Sequence, residues 1–127
     1  LDNLSKLNLS VLQTYSFTKP TNPDLNKQII KTYQEMFDSS VTAESIPGAV
    51  GTAHAYDLIH ILAKAIKQAN STKTSEIRSE LENLPHHKGL VKTYDPVFTR
   101  DKHDALWADD YIISQFDSQG NLVPVKD

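Results

Sequence analysis

A chain of 127 residues is long enough to form one ordinary domain and to bury about two-thirds of its unfolded surface. Its hydrophobic and charged fractions, 39% and 23%, exclude wholesale disorder, and a net charge of −3 leaves no electrostatic footprint for nucleic acid. No apolar run reaches the roughly 18 residues of a membrane span, and the lack of cysteine removes disulfide and thiolate chemistry without fixing a compartment.

Residues Leu7–Phe17 are rich in β-formers and partly alternate, which predicts a strand followed by an extended segment. After the turn Lys19–Pro23, Asn22 suits an N-cap, Pro23 the first helical position and Asp24 the positive end of the helix dipole. The helix that follows carries Leu25, Ile29, Tyr33, Met36 and Phe37 on one side and should end near Asp38–Ser40. A second, longer helix is predicted over about Ala53–Ala69. There Ala55, Leu58, Ile59, Leu62, Ala65, Ile66 and Ala69 recur at the spacing of one helical face. Asn70–Thr74 breaks it, and Thr74 or a neighbour caps a third helix with Ile77, Leu81 and Leu84 inward. Pro85 and Gly89 stop that helix. Short strands then follow near Leu90–Thr99, at Tyr111–Phe116 and at Leu122–Val125, the last two joined by the turn Ser118–Asn121. Three amphipathic helices with a few short strands predict α/β layers, but a thin sheet.

Catalytic and metal signals are weak. His54 and His60 lie six residues apart and do not share a helix face. His86 and His87 diverge as neighbours, and with His103 and Asp104 they lack a metal-ligand spacing such as HExxH, so a solvated loop is the simpler reading. Asp109 and Asp110 would face opposite sides of a strand, and Trp107 among them reads as a packing residue. There is no G-x-S-x-G and no glycine-rich phosphate loop. No catalytic constellation emerges, and neither a metal nor a cofactor is expected.

Several short motifs appear in one order: Val11-Leu12-Gln13-Thr14, His54-Ala55-Tyr56-Asp57, Gly89-Leu90-Val91, Tyr94-Asp95-Pro96-Val97-Phe98-Thr99 and His103-Asp104-Ala105-Leu106, then an alternating strand and the Gly120 turn. Together they resemble the C-terminal part of the branched-chain amino acid type of solute-binding protein, the type I periplasmic receptors that deliver ligands to ABC importers. The resemblance implies a fragment of a two-lobed, Rossmann-like fold whose lobes are joined by crossover strands. Residues 13–106 would belong to the first lobe, and residues 1–12 and 109–127 to the second. The start at Leu1, with no basic-then-apolar leader, fits a fragment or processed chain.

By the same resemblance the parent would be a periplasmic or extracytoplasmic receptor, not an enzyme, closing on an amino acid, amide or related acid and docking on a membrane permease. Its ligand-facing residues here would be Gly51, Thr52 and His54, in the loop leading into the long helix. Some relatives place an aromatic there; the small Gly51 and Thr52 point to a larger or more polar solute than leucine. A ligand-sensing domain of a signalling receptor is the alternative, and an α/β hydrolase a remoter one. A chain split between two lobes should also expose apolar surface, which a homodimer or swapped assembly could cover.

Overall fold

The computed structural model describes residues 6–125; the outermost parts of the predicted second-lobe segments, residues 1–5 and 126–127, lie outside them. In chain order the elements are β1 (Ser10–Gln13), α1 (Pro23–Met36), α2 (Ala49–Ala69), α3 (Thr74–Asn83), β2 (His87–Lys88), β3 (Thr93–Tyr94), a 3₁₀ turn at Ala108–Asp110, β4 (Ile112–Phe116) and β5 (Leu122–Pro124). They form an α/β arrangement of three helices and short antiparallel strands. One sheet has the order β1-β4-β5 and pairs Leu12 with Ile113; the other is the two-residue ladder of β2 and β3.

α1 starts where Asn22-Pro23-Asp24 predicts, with Pro23 at its first turn. The Asn22 side chain makes no cap, however; its amide instead donates to the Gly89 carbonyl (3.4 Å). Leu25, Ile29, Ile30 and Tyr33 pack on the core. Met36 and Phe37, predicted on the same inward side, are exposed, because the helix stops at Met36 and the Phe37 ring folds back on Tyr33 (centroids 5.0 Å apart).

α2 begins four residues earlier than predicted, at Ala49, behind Gly48 in the left-handed region (φ 56°). It ends at Asn70, also left-handed, as helix C-termini often do. The apolar stripe read from the sequence is present, but only Ala65 of its members is buried. Leu58, Ile59, Leu62 and Ile66 are exposed. The side against α3 and the core carries Ala53, Asp57, Ile61 and Ala65 instead. By helix geometry the two stripes stand roughly 140° apart, so α2 is apolar on two nearly opposite faces.

Beyond α3, the segment Gly89–Val91 runs through the core as irregular chain. Buried irregular backbone must find partners for its amides and carbonyls, and side chains supply them. The Asp57 carboxylate accepts the N–H groups of Leu90 (2.5 Å) and Val91 (2.9 Å) and the Tyr94 hydroxyl (2.9 Å). The Thr21 hydroxyl lies within hydrogen-bond reach of both the Leu90 (3.0 Å) and Val91 (2.9 Å) carbonyls. Leu84, Leu90, Val91, Tyr94 and Val97 thereby join Tyr15, Phe17 and Ile61 in one core.

Candidate functional site

Twice among the described residues the chain passes between the three-stranded sheet and the helical body: at Gln13–Phe17 after β1 and around Leu106–Tyr111 before β4. Both passages are tied to the body by polar side chains. In the first, the Tyr15 hydroxyl donates to buried Asn26 (2.6 Å), and the Asn26 amide donates to the Phe17 carbonyl (3.1 Å). Burial, and secondly the nearby Asp57 carboxylate, raise the Tyr15 hydroxyl pKa well above its ordinary value, so it stays a donor. In the second, Asp110 forms an ion pair with Lys92 and accepts the Trp107 amide (2.7 Å).

Between the sheet and the body, at the first turn of α2, lies a recess of about 370 Å³. The first passage contributes Gln13, Ser16 and Phe17. The loop into α2 contributes Ala43, Glu44, Ile46 and Gly48–Gly51, and the sheet closes it with Leu122. Its polar groups are of two signs. The first intrahelical bond of this end runs from the Thr52 amide to the Gly48 carbonyl (2.9 Å), so the preceding amides form the positive pole of a 21-residue helix. The exposed Glu44 carboxylate stands on the rim. Gln13 and Ser16 already have partners in Ser114 (2.6 Å) and Thr18 (2.8 Å).

Gly51, predicted as a ligand-facing residue, lines this recess, and a Cβ built on it meets nothing within 4 Å. Thr52 turns its hydroxyl to the Pro47 carbonyl (3.2 Å). His54 shares a hydrogen bond with Thr14 (2.7 Å), binding α2 to the first passage. Nothing in the sequence marks Gln13, Ser16, Phe17 or Glu44 as lining residues, beyond the turn chemistry of Pro47-Gly48 in the loop that carries Glu44.

A depression of about 310 Å³ over Leu81 and Phe98 lies elsewhere, rimmed by Arg78, Glu82 and His103. There Glu82 takes hydrogen bonds from both Arg78 (2.8 Å) and His103 (2.9 Å), so the local charges are spent on one another. Of the other histidines, His87 accepts at Nδ1 from Lys64 (2.8 Å) while its buried Nε2 has no hydrogen-bond partner, and the His60 ring lies tilted against Tyr56 (centroids 4.3 Å apart). No group of three or more His, Cys, Asp or Glu side chains gathers as a metal site among the described residues. None of their helices is long and apolar enough to cross a membrane.

This architecture matches part of the fold of a type 1 periplasmic binding protein. The chain is similar to the crystal structure of a periplasmic binding protein type 1 from Bordetella pertussis Tohama I, with a TM-score of 0.72 and 19% sequence identity. The match covers 94% of this chain but 33% of the other, so the chain spans about a third of the length of that protein. No family profile and no curated protein matches the sequence.

Proposed function

We propose that this chain is part of a non-catalytic, extracytoplasmic solute receptor that takes a small molecule into the recess at the start of α2. The observation that carries this reading is the recess itself. It is bounded on one side by the helical body and on the other by the sheet, and the two are joined by narrow passages. A solute touching both sides favours the arrangement that brings them together, by its differential affinity for that state.

The division of labour follows the passages. Residues 13–106 form the first-lobe part, and the segments before 13 and from 109 onward the second-lobe part. A helix N-terminus opposite a carboxylate suits a solute carrying an anionic or carbonyl group together with a cationic or N–H group. Amino acids, amides and related acids have that pairing. Gly51 leaves the wall open, Thr52 fixes the loop through Pro47, and His54 holds the first passage through Thr14. Delivery to the permease of an ABC importer is the role that fits such a receptor.

The test is thermal unfolding of the gene-encoded polypeptide against a panel of amino acids, amides and aromatic acids. A solute present at about a hundredfold excess over its Kd should stabilise the protein by about 2.7 kcal/mol and raise Tm by several degrees. A panel in which nothing raises Tm contradicts the proposal.

A further inference from the structure

Of the 13 Lys and Arg residues in the chain, two are arginines, Arg78 and Arg100, and both line one surface depression of about 570 Å³. Ser79, Glu82 and Asn83 complete its lining. It shares Arg78 and Glu82 with the depression of about 310 Å³ over Leu81 and Phe98, so the two adjoin as one groove. The groove runs between α3 and the loop 98–103, and it has no lining residue in common with the recess at the start of α2.

Its two ends differ in chemistry. At the apolar end, Leu81 and Phe98 are half-buried, packing on the core with one side and lining the groove with the other. At the polar end the charges do not cancel. Glu82 accepts at Oε1 from Arg78 Nε (2.8 Å) and pairs with His103 (2.9 Å), which leaves the terminal nitrogens of Arg78 without a partner among the described residues. The Arg100 side chain has no hydrogen bond or ion pair among them. Its backbone is nevertheless fixed, because Thr99 and Lys102 exchange N–H···O bonds (2.8 and 3.3 Å) across the turn that carries it. Two guanidinium groups against one carboxylate leave a positive charge over, on a chain whose net charge is −3. A guanidinium also presents a planar fork of donors that matches the two oxygens of a carboxylate, which a lysine does not.

We infer that this groove is a second small-molecule site, which takes a carboxylic acid with a short hydrocarbon tail. The carboxylate lies against Arg100 and the unpartnered edge of Arg78, and the tail covers Leu81 and Phe98. The apolar end falls at the lower limit of small-molecule pockets, about 300–1,000 Å³, which suits one short tail. Neither half of the ligand suffices alone: the polar end is open to water, where a single ion pair is weak, and the apolar end is shallow. The groove shares no residue with the recess, so this site stands or falls independently of the proposed receptor function.

The test titrates hexanoate into the isotope-labelled gene-encoded polypeptide and follows the amide chemical shifts of α3 and the loop 98–103 by NMR. Hexanol supplies the tail without the charge, and acetate the charge without the tail. Hexanoate should saturate these shifts with a Kd on the order of 1 mM, and both controls should bind more weakly by roughly fivefold or more. Arg100→Gln removes a charge that no described residue uses, so it should keep the wild-type Tm and weaken hexanoate by roughly fivefold or more. Gly51→Phe, placed in the recess, should leave hexanoate binding unchanged. Shifts that do not move at about 20 mM hexanoate overturn the inference. So does undiminished affinity in Arg100→Gln, or hexanol binding as well as hexanoate, since the groove is then only an apolar patch. Loss of hexanoate binding in Gly51→Phe also overturns it, because the acid then occupies the recess.

Discussion

Gly89 cannot carry a side chain where it stands, because the Asp57 carboxylate occupies the space: a Cβ there would lie 2.5 Å from Asp57 Oδ2 and 2.7 Å from its Cγ. Asp57 is itself almost fully buried and cannot retreat, being held by Leu90, Val91 and Tyr94. Gly89→Ala should therefore push the carboxylate off its three donors, at a cost of about 3 kcal/mol from overpacking and lost charge-assisted bonds. Asp57→Asn should cost about 2–4 kcal/mol, since it sets an N–H group against backbone amides that need an acceptor. Urea unfolding followed by circular dichroism measures both. A loss below about 0.5 kcal/mol for either variant, the range of an ordinary surface change, would mean that the network is not holding this segment.

Gly48 and Gly51 sit three residues apart and should respond in opposite ways. Gly48 has φ 56° with open space where its Cβ would be, so Gly48→Ala meets only the backbone penalty of the left-handed region, about 1 kcal/mol. Gly51 is helical and equally unobstructed. Gly51→Ala should be neutral or stabilising by up to about 1 kcal/mol. The same denaturant melts decide the matter, and equal losses at the two positions would contradict this backbone assignment.

Acid should weaken the protein in two stages. His87 is buried, and desolvation, then the Lys64 ammonium, hold its pKa below the ordinary 6.5. In the window between the depressed value and 6.5 the unfolded chain binds the extra proton, so stability falls as pH drops through that window. The carboxylates of exposed Asp38 and Glu76 and of half-buried Glu82 and Asp117 have lowered pKa values through hydrogen bonds, chiefly to Ser40, Ser71, Arg78 and Asn121 respectively. Their contributions are lost at lower pH, below the ordinary carboxylate range. Melting temperatures across pH 7.5 to 5 should decline for the wild-type chain, and His87→Gln should flatten that decline. An unchanged slope in the variant assigns the first stage elsewhere.

Local chemistry made much of the fold legible. Asn22-Pro23-Asp24 places the start of α1, and Ser118–Asn121 places the turn between β4 and β5. The orientation of α2 was not legible, because the apolar periodicity of its sequence marks a face that the described residues leave uncovered. A lone acidic residue in the register Ala53-Asp57-Ile61-Ala65 was the signal for the inner face, and its meaning depends on Gly89–Val91, more than thirty residues away. Of the three residues expected to face a ligand, Gly51 lines the recess, whereas the hydrogen bonds of Thr52 to Pro47 and of His54 to Thr14 belong to tertiary geometry. The rest of the recess comes from residues 13–17, 43–50 and 122, a long-range assembly that no spacing rule reveals.

The receptor proposal is tested most directly by calorimetric titration of the gene-encoded polypeptide and its Gly51→Phe variant with a solute that raises Tm. A Cβ at position 51 is unobstructed and Gly51 lines the recess, so a phenyl group there should fill much of it without disturbing the helix. The account predicts that Gly51→Phe keeps the wild-type melting temperature without solute and weakens binding by roughly tenfold or more, about 1.4 kcal/mol. Undiminished affinity in a folded Gly51→Phe protein would contradict it.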